Sequence, residues 1–172
     1  MAWIGTGMAK SDASVLSQPA LDGFSLRILR ELQRDARQTV AQLSAAVGLS
    51  PTPCWKRVKE MEASGVIRGY TARIDAEKVG LHLTVLAEVN LGQHTEETVQ
   101  RFEAAVAASP HIVRCQSTTG AADYLLTVLA PEIKHYERLL HDTIFRLPGV
   151  THVRSSIVLR EVKSEAPLPI GP

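Results

Sequence analysis

Apolar positions along the chain follow one period at the start and another further on, and the change divides the sequence. From Leu21 to Arg34, Leu21, Phe24 (or Ser25), Ile28, Leu29 and Leu32 recur every three to four residues, which predicts a helix with Asp22 as its N-cap. Val40 to Val47 predicts a second, short helix starting near Gln38 or Thr39. Gly48 permits a sharp turn, Ser50 caps a third helix, Pro51 suits its first turn, and Gly65 stops it near Ser64. Val66 to Tyr70 and Thr71 to Ile74 read as a basic β-ribbon around Gly69. Three helices followed by strands is the order of a winged helix-turn-helix.

Past a polar hinge at Asp75–Gly80 the period becomes two. Leu81, Leu83, Val85, Ala87, Val89 and Leu91 alternate with His82, Thr84, Glu88 and Asn90, a half-buried strand. Thr95 to Ala108 is helical, with Val99, Phe102 and Val106 inward. Ile112 to Thr118 and Tyr124 to Leu129 are strands, and Ile133 to Arg146 is a helix with Ile133, Tyr136, Leu140 and Ile144 on one face. Leu147-Pro148-Gly149 ends it, and Val150 to Val162 is a last long strand. The order βαββαβ predicts a ferredoxin-like antiparallel sheet with helices on one face, and its bare face calls for self-association or a ligand. The chain is thus α+β: an arm over residues 1–19, a helix-turn-helix over 20–66, a ribbon and hinge over 67–80, a ferredoxin-like unit over 81–164, and a loose tail over 165–172 with three prolines.

Composition narrows the class. The 172 residues are 45% hydrophobic and 22% charged, a balance that allows a buried core. No apolar run approaches the ~20 residues of a membrane span, and the start MAWIGTGMAKSDAS is not a secretory signal. Two cysteines make no disulfide framework, so a cytoplasmic location is the expectation. The net charge of +1 is unevenly placed: residues 20–74 carry nine Lys or Arg against five acids, +4, and residues 75–172 carry nine against twelve, −3. A polyanion would therefore meet the front half.

The candidate chemistry sits in two stretches. On the third helix Ser50, Thr52, Lys56, Arg57 and Lys59 could reach phosphates or base edges, helped by the positive helix end, while Arg68 and Arg73 on the ribbon would add backbone contacts. Trp55 reads equally as an anchor onto the first helix or as a DNA-facing group. Cys54 and Cys115 read as packing residues. The second stretch is the turn Ser117–Leu126, where Gly120 allows positive φ and close approach of a ligand. Asp123 there could fix the turn through backbone amides or hold the ammonium of a small ligand. Six scattered histidines show no metal spacing, and no nucleophile–base set, P-loop or GxGxxG is present, so neither a metal, a cofactor nor an enzyme activity is expected.

The motifs LDGFSLRILRELQRDAR, LSPTPCWKRVKEMEASGVIRGYTARID, TTGAADYLL and LPGVTHVRSSIVLREVK, in this order, resemble the leucine-responsive/asparagine regulator (Lrp/AsnC, feast/famine) family of transcription factors from about Leu21 to Lys163. The resemblance implies an N-terminal DNA-binding domain and a C-terminal sensing domain. It also implies dimers paired through the sensing domains, octamers built from them, and amino-acid effectors bound near the G-x-x-D turn. Ser50, Thr52, Lys56 and Arg57 then fall where family members contact operator DNA, Gly120 and Asp123 match the effector turn, and Ser155 and Ser156 lie in a strand that lends hydroxyls to the pocket. Ser25, Ala122 and Val153 stand where relatives commonly carry aspartate, an aromatic and threonine, and the last two point to a roomier, less polar pocket. An architectural DNA-wrapping protein and a metabolic enzyme or its regulatory subunit are the alternatives.

Overall fold

The computed structural model describes residues 21–164 and 166–170; the arm expected over 1–19 lies outside them. The chain forms two compact units. Among the described residues, 21–72 together with 166–170 belong to one, and Arg73–Ser164 is the other. The boundary therefore falls inside the segment 67–80 expected as ribbon and hinge.

The first unit contains α1 (Gly23–Arg34), α2 (Val40–Val47) and α3 (Pro51–Ala63). The starts of α1 and α2 are set by local polar groups. The Asp22 carboxylate accepts the Ser25 amide at 2.7 Å. Thr39 and Gln42 form a reciprocal capping box at α2, with bonds of 3.2 and 2.8 Å. Gly48 closes α2 in the left-handed region at φ 73°, where a side chain would be strained. Ile28, Leu43, Val47, Cys54, Val58 and Met61 form the core, with Leu21, Leu29, Leu32, Leu49 and Ile67 around it. On α1 it is Ser25, not Phe24, that turns inward; Phe24 is half-buried under the Arg27 guanidinium, 4.4 Å from its ring centre.

Residues 66–74 do not form the expected paired ribbon. They begin in a bend at Val66–Ile67 and carry no strand pairing, held at their start by the Ile67 amide on the Met61 carbonyl and further on by the Tyr70 hydroxyl on Glu62. The tail is not loose over 166–170: Leu168 and Ile170 hydrogen-bond to side chains of α1.

The second unit runs β1 (Leu83–Leu91), α4 (Glu96–Ala108), β2 (Ile112–Ser117), β3 (Tyr124–Ala130), α5 (Ile133–Asp142) and β4 (Val150–Ile157). The sheet order is β2-β3-β1-β4 with every pair antiparallel, the ferredoxin-like arrangement. Val85, Ala87, Val89 and Leu91 of β1 and Tyr124, Leu126, Val128 and Ala130 of β3 face the core with Phe102, Val106, Tyr136 and Ile144. The helix predicted over 133–146 breaks at Thr143 and resumes as a 3₁₀ turn, Ile144–Arg146, while Ile133 stays exposed. The last strand stops at Ile157 rather than Val162, near the start of its partner β1: Ile157 pairs with Val85, and one further bond runs from the Val158 amide to the Thr84 carbonyl. Cys54 is fully buried as expected, but Cys115 is exposed because it lies on the edge strand β2.

Phe102 is 0% exposed and its ring lies 4.5 Å from that of Tyr124, so it anchors α4 to the sheet. Phe102→Ala should destabilise this unit by about 3–5 kcal/mol, read as a lower denaturant midpoint, while the first unit keeps its own transition.

Candidate functional site

The outward face of α3 follows from its buried one. With Cys54, Val58 and Met61 inward, the 3.6-residue period puts Thr52, Lys56 and Lys59 on the opposite side, and all three are exposed. Ser50, the residue before the helix, is exposed and its side chain makes no capping bond. Lys56 stands 3.9 Å from Glu60 with 77% of its side chain exposed. Lys59 pairs with Glu62 at 2.8 Å and lies 4.4 Å over the Trp55 ring. Trp55 itself is half-exposed between these polar neighbours and the apolar Leu32, Val40 and Leu43. Surface pairs of this kind are weak and exchange readily for a phosphate. Arg68 is exposed on the segment after the helix.

Arg57 departs from the rest. It sits on the flank of α3 facing α1, where its guanidinium donates to the Asp22 carboxylate at 2.9 and 3.3 Å and to the Pro53 carbonyl at 3.3 Å. The guanidinium holds the Asp22 carboxyl well below the usual carboxylate range, aided by the Ser25 amide. Asp22 thus caps α1 and ties it to α3 at once, a role its sequence position announces only in part. A residue expected to read DNA is here a brace between helices.

The turn between β2 and β3 is stitched from within. The Thr118 amide donates to the Asp123 carbonyl at 2.9 Å, the Thr118 hydroxyl to the Ala122 carbonyl, and the Asn90 side-chain amide to the Ala121 carbonyl at 2.9 Å. The Asp123 amide reaches Val89 at 3.1 Å. One Asp123 carboxylate oxygen accepts the Leu91 amide at 2.7 Å, and the other lies 2.9 Å from His94 Nε2. Both oxygens are therefore engaged, so the geometry favours the turn-fixing reading of this carboxylate. Gly120 is exposed, but its φ is not positive, and a Cβ there would meet nothing within 4 Å. Its expected backbone freedom is not used. Ala122 is 8% exposed and points away from solvent.

Ser155 and Ser156 part company. Ser155 pairs with Ala87 on the helix-covered face, and its hydroxyl is 2.6 Å from that of Tyr136 on α5. Ser156 pairs with Leu86 on the bare face, beside Arg154, which binds Glu88 at 2.6 Å. Adjacent residues of a strand point to opposite sides, so the two hydroxyls cannot line one pocket of one chain. His94, Asn90 and Tyr136 were not singled out by the sequence. His94 was one of six scattered histidines, and only the fold brings it to Asp123. Among the described residues no cluster of three His, Cys, Asp or Glu could hold a metal ion.

Two outcomes follow. Asp22→Ala removes both the cap and the brace and should cost about 1 kcal/mol of stability in urea unfolding, whereas Gly120→Ala should unfold like the parent. The Leu91 amide, with His94 second, holds the Asp123 carboxyl below its ordinary range. A depressed folded-state pKa gives stability that is present above the unfolded value and is lost as pH falls through the folded one. The Leu91 amide should stay protected from exchange at neutral pH and lose protection only in acid below the ordinary carboxylate range.

Residues 21–68 match the family described as "Winged helix-turn-helix DNA-binding", and residues 84–168 match "Lrp/AsnC ligand binding domain". The chain is 41% identical over 143 residues to the leucine-responsive regulatory protein of Salmonella typhimurium, covering 83% of this chain and 87% of that one. It is 40% identical to the Escherichia coli K12 protein of the same name over the same shares. Among solved structures, a Neisseria meningitidis transcriptional regulator in complex with L-Met superposes with a TM-score of 0.82 at 34% identity, covering 87% of this chain and 96% of that one. An AsnC family regulator from Agrobacterium tumefaciens has a TM-score of 0.82 at 36% identity, covering 86% and 96%. A helix-turn-helix with an exposed polar face, followed by a ferredoxin-like unit with a stitched turn and a bare sheet face, places the chain in the Lrp/AsnC family of transcription regulators, a family of DNA-binding proteins and not of enzymes.

Proposed function

We propose that this regulator binds double-stranded operator DNA through the outward face of α3 and answers to an amino acid held at the interface of its C-terminal units. The observation that carries the DNA half is the alignment of Thr52, Lys56 and Lys59 on one exposed face of α3, with exposed Ser50 just before the helix and Arg68 just beyond it. Thr52 and Lys56 are placed to meet base edges and phosphates, and Lys59 to meet the backbone. Arg57 acts mainly by setting the angle of α3 through Asp22.

For the effector half, the exposed turn Thr119–Ala121 offers backbone to a ligand, and Asp123 fixes its shape. The related regulator bound to L-Met and the leucine-responsive relatives favour a small amino acid. The bare face of the sheet, with half-buried Leu86, Leu125 and Leu129, favours pairing with a second copy. A pair related by a two-fold axis presents two copies of α3 to successive major grooves. Such a pair also brings Ser156 of each copy to the interface, a position Ser155 does not share. Assembly beyond the dimer, to an octamer, and a cytoplasmic location complete this reading; among the described residues no helix is long and apolar enough to cross a membrane.

Binding to operator fragments from genomic selection, followed by anisotropy over a salt series, tests the first half. Lys56→Ala should weaken binding and lower the slope of log K against log salt by about 0.9, with unfolding unchanged. Equal slopes would remove Lys56 from the interface. Titration calorimetry with an amino-acid panel tests the second half. Binding of one member, with Asp123→Ala losing the ligand response and keeping DNA affinity, is the expected result. No binding by any member would favour an architectural DNA-wrapping protein.

A further inference from the structure

The C-terminal residues carry an interaction that the reading above does not use. Residues 166–170 read Ala-Pro-Leu-Pro-Ile. Pro167 and Pro169 have no N–H and fix their own φ near −65°, so the segment is extended and poor in donors. Of the three backbone donors that remain, those of Leu168 and Ile170 are taken. The Leu168 amide donates to the Gln33 side-chain oxygen at 2.6 Å, and the Ile170 amide turns back to the Leu168 carbonyl at 2.9 Å. The Gln33 amide group returns a longer bond, 3.4 Å, to the Leu168 carbonyl, and Arg30 Nε donates to the Ile170 carbonyl at 2.8 Å.

Arg30 and Gln33 are three residues apart on α1, on the exposed side away from Ile28. Gln33 therefore reads the Leu168 backbone with its own donor and acceptor, as a neighbouring strand would, and Arg30 fixes the end of the segment. A proline-flanked peptide is already extended before it docks, so little conformational freedom is lost on binding.

We propose that the outer face of α1 is a docking site for an extended, proline-flanked peptide and that its occupant is this chain's own C-terminal tail. The consequence lies in the connectivity. The DNA-binding unit joins the effector unit through the chain near Ala72, and the tail joins them a second time, just after Ser164. Two connections leave fewer arrangements of the units than one. The strand β4, which carries Ser155 and Ser156, leads into the second connection. Its bearing on ligand response rests on the regulator reading above; the docking itself does not.

Hydrogen exchange on the full-length chain tests the docking. The peptide spanning residues 166–172 should exchange the Leu168 and Ile170 amides at least tenfold more slowly than an unstructured chain. Gln33→Ala should restore free exchange there while the amides of α1 near Ile28 stay protected. Leu168→Pro, which deletes the donor itself, should free the Ile170 amide in the same way. Free exchange of this peptide in the parent, or protection that survives both substitutions, would overturn the proposal. If docking holds, ligand-dependent change in DNA affinity should fall at least threefold in Gln33→Ala; an unchanged response refutes the coupling alone. A parent with no ligand response refutes the regulator reading and leaves the exchange result standing.

Discussion

The effector unit depends on one constraint, the two-residue alternation of β1. This strand is paired on both sides, to β3 from Leu83↔Ala130 to Val89↔Tyr124 and to β4 from Val85↔Ile157 to Leu91↔Val150. Each pairing carries its alternation to the next strand, so a single register decides which residues of three strands meet the helices. Val85, Ala87 and Val89 turn inward with Leu126 and Val128, and Leu86 and Glu88 turn outward with Leu125 and Arg154. The same register sends Ser155 to Tyr136 and Ser156 to the bare face. It also brings the end of β1 beside the turn, where the Leu91 amide meets the Asp123 carboxylate.

The DNA-binding unit is governed by its charges rather than by register. Of the three basic residues grouped on α3, one is withdrawn into a brace with Asp22 and two stay outward in weak pairs with glutamates of the same helix. The arrangement separates tasks. Arg57 ties α3 to Asp22 at the start of α1, and Lys56 and Lys59 keep their side chains exposed. The modest excess of four positive charges over residues 20–74 is thus concentrated by geometry, not by composition.

Periodicity was enough to read the helices and strands, because each buries one face and the burial repeats at the period of the element. Thr39, Thr95 and Gly48 mark ends whose caps are local, whereas Ser50 precedes its helix without a capping bond. What escaped the sequence was everything set by distant partners. Residues 66–74 have no strand beside them, the last strand stops at Ile157 near the start of β1, and Cys115 is uncovered because β2 is an edge. Arg57 and Asp22 are 35 residues apart, and His94 and Asp123 meet only across the folded sheet. The turn Ser117–Leu126 stood out by its residues, but the geometry differs from the expectation: Asp123 accepts the Leu91 amide, and Gly120 is exposed without a positive φ.

The proposed pairing of two copies rests on the bare sheet face, with Leu86 and Leu125, as their interface. Sedimentation velocity on the parent and on a Leu86→Asp/Leu125→Asp variant addresses that most directly. The expected result is a parent that runs as a multiple of 18.7 kDa and a variant that runs as a folded monomer. A parent that sediments as a single 18.7 kDa chain, or a variant whose assembly is unchanged, would contradict it.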